Sequence, residues 1–215
     1  MKPHLNPPRE AQPTVMVIDD DPDIRDALQG LLRSVGLGVE LFASVQEFLD
    51  SWQPSRPGCL VLDIRLPGRS GLDFHDDLVR ENVQLPVVFI SGHADVQMSV
   101  RAMKAGAIEF LTKPVRHQDL LDAIQRAIVH DGVHREEQRT IEVIRENFAK
   151  LTPREREVMG LVVQGHLNKQ IAAQIGITEA TVKLHRGQVM RKMHVRSLAE
   201  LVRTADKLEL THPQP

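Results

Sequence analysis

Residues 59–63 read CLVLD, four apolar residues closed by one aspartate. A run this short and this uniformly apolar fits a strand buried on both faces, as in a parallel sheet. Two other runs have the same form: Thr14–Asp19, which continues into Asp20 and Asp21, and Val87–Ser91. Val39–Phe42 and Ile108–Thr112 add two more candidate strands. Helix-like segments lie near 22–35, 44–52, 71–82 and 95–105, with another from 116 onward. Five strands joined by crossovers of that kind predict an α/β fold with a doubly wound, five-stranded parallel sheet. In such a sheet the site lies outside the carboxyl ends of the strands, where strand order reverses.

Three strand ends carry the chemistry. VIDDD (17–21) ends the first strand with Asp19, Asp20 and Asp21, CLVLD ends the third with Asp63, and FLTKP (110–114) places Lys113 after the fifth. Carboxylates that converge beside one lysine repel each other unless a cation joins them. A few oxygen ligands with room for water and phosphate oxygens favour Mg2+. With a cation present, one carboxylate can attack a phosphoryl donor while the lysine neutralises charge on the transferring group. A solvated acidic loop is the bland reading of any single DDD run. Three such features at three strand ends argue against it.

Composition sets the outer limits. The chain has 215 residues, 41% hydrophobic and 26% charged, which is globular composition long enough for two ordinary domains. The lone Cys59 cannot form an internal disulfide and sits in an apolar run, as a buried, reduced thiol would. No stretch has the length and apolarity of a signal peptide or a membrane span, so a soluble, cytoplasmic protein without membrane contact is expected. The net charge of −2 hides an asymmetry: residues 14–130 hold 11 Lys/Arg against 17 Asp/Glu, whereas residues 149–215 hold 11 against 6. Only the second half suits a polyanion.

The expected organisation is a disordered tail at 1–13, the sheet domain at 14–130, a polar, partly helical linker at 131–150 and an all-helical domain at 151–215. In the linker, Ile141, Ile144, Phe148 and Leu151 form a short apolar stripe. It can dock on one of the domains or dimerise, and docking is the reading adopted. LTPRE (151–155) supplies Thr152 as N-cap, Pro153 at the first helical position and Glu155 at the third, a capping box. Three more helices are expected near 167–175, 178–193 and 197–208, the second and third of the four joined by the short Gly176–Thr178 turn, as in a helix-turn-helix.

Placed at about 100° per residue, Val182, His185, Val189 and Met193 share a sector about 80° wide, the expected buried stripe. His185 there reads as a core histidine, not a metal or DNA ligand. Lys183, Leu184, Gly187, Gln188 and Arg191 lie opposite. Such a face suits a major-groove reader. For an isolated segment, an ordinary amphipathic helix with a cationic solvent face fits equally. The last helix repeats Leu198, Leu201, Val202, Ala205 and Leu208, part for its own core and part for a two-fold contact.

Residues 14–130 resemble a response-regulator receiver domain of two-component signalling, a flavodoxin-like fold. SGHADVQMSVRAMKAGAIEFLTKP (91–114) resembles the FixJ subgroup in particular. The resemblance implies that Asp63, in LVLDIRLPGRSG (60–71), is the phosphoacceptor. It further implies Mg2+ held by Asp20, Asp63 and the backbone carbonyl of Arg65, with Asp19 acting through water. Ser91 and Lys113 are then the phosphoryl-contacting hydroxyl and ammonium, Phe110 the aromatic switch, and Lys113–Pro114 a cis peptide. A sensor histidine kinase is the implied phosphodonor. By the same resemblance Arg65 and His93 should flank the route of water to the phosphorus, where they can obstruct or orient it; obstruction, the reading favoured, predicts a long-lived phosphoryl group.

LTPREREVMGLVVQGHLNKQIAAQIGITEATVKLHRGQVMRKM (151–193) is similar to the LuxR/NarL-type output domain. That likeness implies double-stranded DNA as partner, with Lys183 and Leu184 at base edges and Gly187 one turn further, where some relatives carry bulkier or charged residues. Lys169, Thr181, Arg186 and Lys192 are candidate phosphate contacts, and Arg191 lies on the same exposed face. The whole resembles a phosphorylation-dependent transcription regulator that is no enzyme, with activation, RNA polymerase contact and homodimerisation implied. A catalytic output would need a catalytic constellation in residues 149–215, and the sequence offers none.

Overall fold

The computed structural model describes residues 12–92 and 96–208. The chain divides into two compact units, one through Arg135 and the other from Glu136 onward.

The first unit is built on strands β1 (Thr14–Ile18), β2 (Gly38–Phe42), β3 (Gly58–Asp63), β4 (Val87–Ser91) and β5 (Glu109–Thr112). All neighbours run parallel, in the order β2-β1-β3-β4-β5. The order reverses at β1, so the crevice opens beside the ends of β1 and β3. Helices α1 (Pro22–Ser34), α2 (Val45–Ser51), α3 (Gly71–Arg80), α4 (Val96–Lys104) and α5 (His117–Ala149) supply the crossovers and continue past β5.

The period-two alternation of side chains divides the core into two layers. Met16, Ile18, Leu60, Leu62 and Phe89 face α2, α3 and α4 through Phe48, Phe74, Leu78 and Ala102. Val15, Val17, Val61, Val88 and Ile90 face α1 and α5 through Leu32, Leu120, Ile124 and Ala127. Every residue of β3 is buried, which is why it reads as an unbroken apolar run. Each such side chain, fully enclosed, contributes about 1.5–3 kcal/mol. Cys59 lies wholly inside this core, and burial first, then the charge of Asp131, pushes its thiol up to about 12.

Residues 131–149, expected to be partly helical, are helical throughout, because α5 runs on to Ala149 with no proline to stop it. Near the middle, α5 is fastened to the start of β3. The Gly58 N–H donates to Asp131 Oδ2 at 2.9 Å, and Arg135 Nε donates to the same oxygen at 2.7 Å. The Arg135 guanidinium also donates to the carbonyls of Pro54, Ser55 and Arg56 at 3.2, 3.1 and 2.5 Å.

The second unit comprises the end of α5 and helices α6 (Pro153–Val163), α7 (Asn168–Ile175), α8 (Glu179–Lys192) and α9 (Leu198–Lys207). Ile144, Phe148 and Leu151 pack with Val158, Ile171, Val182, Val189 and Leu201, so most of the linker stripe docks on this unit. The expected capping box is present: Glu155 N–H donates to Thr152 Oγ1 at 3.3 Å, and Thr152 N–H to Glu155 Oε2 at 2.7 Å. In α9, Leu201 and Ala205 are core residues, whereas Leu198 is exposed.

Candidate functional site

Strand ends bring the acidic residues and the lysine together, as their positions predicted. Ligand atoms of Asp19, Asp20 and Asp63 lie within 4.8 Å of one another. Lys113 Nζ bridges two of them, donating to Asp19 Oδ2 at 2.6 Å and to Asp63 Oδ2 at 2.8 Å. The second oxygen of each is held by backbone: Asp19 Oδ1 accepts from Asp21 N at 3.0 Å and Asp63 Oδ1 from Arg65 N at 3.2 Å. Asp21 turns away from the pocket to cap α1, accepting from Asp23 N.

Burial differs sharply within the cluster. Asp19 is wholly enclosed, Asp63 nearly so, and Asp20 exposed. Burial pushes the Asp19 carboxyl above the usual carboxylate range, with the Lys113 hydrogen bond acting the other way. For Lys113, burial opposes the charged form, but bonds to Asp19 and Asp63 outweigh it and raise its pKa. One half-buried ammonium is therefore shared between two buried carboxylates, and the exposed third carboxylate is left facing water. An all-oxygen set, one member open to solvent, fits a hard cation such as Mg2+ that keeps part of its hydration shell. Asp19, Asp20 and Asp63 are the side chains that would hold it.

The loop after β3 is shaped for this pocket. Gly71 opens α3 directly behind Asp63, where an added Cβ would stand 2.2 Å from the Asp63 carbonyl oxygen. Any side chain at 71 would push α3 off the strand end. Arg69 pairs with Asp77 and lies over the Phe74 ring, tying the loop to α3.

Ser91 is fully buried at the end of β4, and Lys113 N–H donates to its carbonyl at 2.8 Å. The Lys113–Pro114 bond is cis. Phe110 is half-buried on β5, beside Phe89 in register, and packs against the α2–α4 layer. Arg65 is exposed, while His93 lies outside the described residues.

On α8, Lys183, Leu184, Gly187 and Arg191 are exposed, Leu184 by 62%. Gln188 is half-exposed and hydrogen-bonds Arg191. Val182, Val189 and Met193 are buried as expected, but His185 is only half-buried. It stands at the edge of the apolar sector, about 60° from Val182 at 100° per residue, so it is not a core residue.

Two expected phosphate contacts have partners within the fold. Lys192 Nζ donates to Glu155 Oε2 at 2.7 Å and to the Lys150 carbonyl at 3.2 Å. Arg186 Nη1 donates to Asn168 Oδ1 at 2.7 Å. Burial alone would raise the Glu155 carboxyl; bonds from Lys192 and Thr152 outweigh it and lower the pKa. Lys192 thus ties the end of α8 to the capping box of α6, and Arg186 ties α8 to α7. A helical wheel shows one helix at a time and is blind to partners 37 and 18 residues away. Thr181 is half-buried, its hydroxyl 2.9 Å from that of Thr178, the N-cap of α8; Lys169 is exposed on α7.

The response regulator receiver domain family matches residues 15–125, and the luxR family of bacterial regulatory proteins matches residues 149–205. Nodulation protein W of Bradyrhizobium diazoefficiens is 50% identical over 197 residues, 92% of this chain and 87% of that protein. The low-resolution structure of the response regulator StyR superposes with a TM-score of 0.81 at 47% identity, covering 92% of this chain and 100% of that one. Full-length FixJ from B. japonicum does so with a TM-score of 0.56 at 38% identity, covering 93% and 98%. Among the described residues, no helix is long and apolar enough to cross a membrane.

Proposed function

Because this chain belongs to the response regulators that join a receiver domain to a LuxR-type DNA-binding domain, we propose that a histidine kinase phosphorylates Asp63 and thereby controls sequence-specific DNA binding through α8. The observation that carries the proposal is the single ammonium of Lys113 shared between the buried carboxylates of Asp19 and Asp63. The domains are assigned as a receiver from 14 to about 130, a helical connection over 131–150 and an output domain from 151.

In the forward step an Asp63 carboxylate oxygen bonds to phosphorus as the donor's nitrogen–phosphorus bond breaks. A Mg2+ ion held by Asp19, Asp20, Asp63 and the Arg65 carbonyl would supply charge neutralisation for the transferring group. Lys113, already 2.8 Å from Asp63, stays beside the new phosphoryl oxygens and compensates their charge. The Ser91 hydroxyl, buried at the end of β4, is drawn to the same oxygens, and Phe110 moves inward on β5. The altered β5 face then favours a homodimer, and on DNA the pair activates transcription through RNA polymerase. Lys183, Leu184 and Gly187 meet base edges, while Arg191, Lys169 and Thr181 meet the backbone. Lys192 and Arg186 leave the set of phosphate contacts for the structural role described above.

Incubation with acetyl phosphate and Mg2+, followed by intact mass measurement, tests the chemistry. One phosphoryl group per wild-type chain is expected, and none on Asp63→Asn, whose amide keeps the shape but cannot form the acyl phosphate. Stoichiometric phosphate on Asp63→Asn would refute the assignment.

A further inference from the structure

Gly187 is costly to the fold and unexplained by it. It lies in the interior of α8, where glycine weakens a helix relative to alanine. Its φ is not in the left-handed region, and an added Cβ would meet no atom within 4 Å. Neither strain nor crowding inside the molecule demands a bare position there. Gly132 on α5 and Gly160 on α6 also have open space around them, so space alone does not single out Gly187. Its place does: Lys183 is four residues before it, Leu184 three before and Arg191 four after, all exposed on one face of the helix.

We infer that Gly187 is a close-approach position for DNA: the missing side chain lets the backbone of α8 seat against a base edge or sugar, so that Lys183 and Leu184 on the preceding turn reach the floor of the groove. The inference rests on the reading of α8 as the recognition helix. A methyl group at 187 then acts oppositely on two observables, stabilising the helix while holding it off the duplex. A purely structural glycine would not separate them.

The test uses the full chain with Mg2+ and acetyl phosphate, and duplexes selected by the wild-type protein from a random library. Gly187→Ala should slow amide exchange in α8 about fivefold, yet weaken binding to the selected duplexes at least tenfold. The salt dependence of binding should not change, because no phosphate contact is lost. Gly160→Ala and Gly132→Ala should slow exchange in their own helices and leave affinity as it was. Wild-type affinity in Gly187→Ala would overturn the inference and leave the reading of α8 intact. Failure of the wild-type protein to enrich any duplex would overturn that reading first, and this inference with it.

Discussion

The pocket at the strand ends and the face of α8 are built on opposite plans. In the pocket, Asp19, Asp63 and Lys113 are largely shielded and committed: Lys113 to two carboxylates, Asp19 and Asp63 to it and to backbone N–H groups, with Asp20 alone facing water. On α8 the side chains assigned to bases are exposed, and the helix is held by cations on its flanks, Lys192 to Glu155 and Arg186 to Asn168. Chemistry on a phosphoryl group requires preorganised charge out of water, and groove reading requires side chains free to find their partners on a rigid support. The same residue type, lysine, serves both plans, and its burial decides which.

Substituting lysines in order of burial sharpens that contrast. Lys113→Met leaves two buried carboxylates without their cation. It should destabilise the first unit by about 3 kcal/mol in chelator, and less in excess Mg2+, which replaces the lost charge. Urea unfolding with and without Mg2+ measures this, and equal losses in both would argue against a cation in the pocket.

Lys192→Met strands the buried Glu155 carboxylate, though partial solvent access softens the loss to about 2 kcal/mol. Hydrogen exchange should show the loss in α6 and α8, while the salt slope of DNA binding stays fixed. A slope reduced by about one would instead return Lys192 to the phosphate contacts. Lys183→Ala, fully on the surface, should leave stability alone and cost about 1–2 kcal/mol on the selected duplex only. Equal loss on random DNA would remove it from base readout.

The smallest effect concerns pH. His75 is buried edge-on to Phe89 with a ring-centroid distance of 5.3 Å, and its Nδ1 has no hydrogen-bond partner among the described residues. Burial lowers its pKa below 6.5, with the charge of Asp76 acting the other way. Above its ordinary pKa of about 6.5 the ring is mostly uncharged whether folded or not. Below about 6.5 the unfolded chain takes up the proton first, so stability falls with pH. His75→Leu should flatten that part of the stability–pH curve, and an unchanged curve would place the titration elsewhere.

Legibility in the sequence followed the same division. The strands are placed within a residue or two because the apolar runs of all but β2 end in charged or polar residues, and the parallel sheet converts those ends into neighbours. Asp19, Asp63 and Lys113 are brought together by topology alone, so their meeting is legible in the sequence. The Asp131–Arg135 fastening was not legible: both residues sit in a stretch that reads as polar linker, and their partners, the Gly58 N–H for Asp131 and loop carbonyls for Arg135, are backbone groups without a sequence signature. Lys192 and Arg186 have partners within the fold that were not legible, for a related reason. Their position on α8 is cationic and outward, and only the packing of α6 and α7 against it reveals Glu155 and Asn168. The buried stripe was right at Val182, Val189 and Met193, and wrong for His185 at the sector's margin.

The central claim is that charge added at Asp63 changes what α8 does. The direct measurement is the affinity of the full chain for one selected duplex, with and without acetyl phosphate and Mg2+, in wild type and Asp63→Asn. At least tenfold tighter binding on phosphorylation of the wild type, and no response in Asp63→Asn, is the predicted result. Equal affinity of the phosphorylated and unmodified wild-type protein would contradict it.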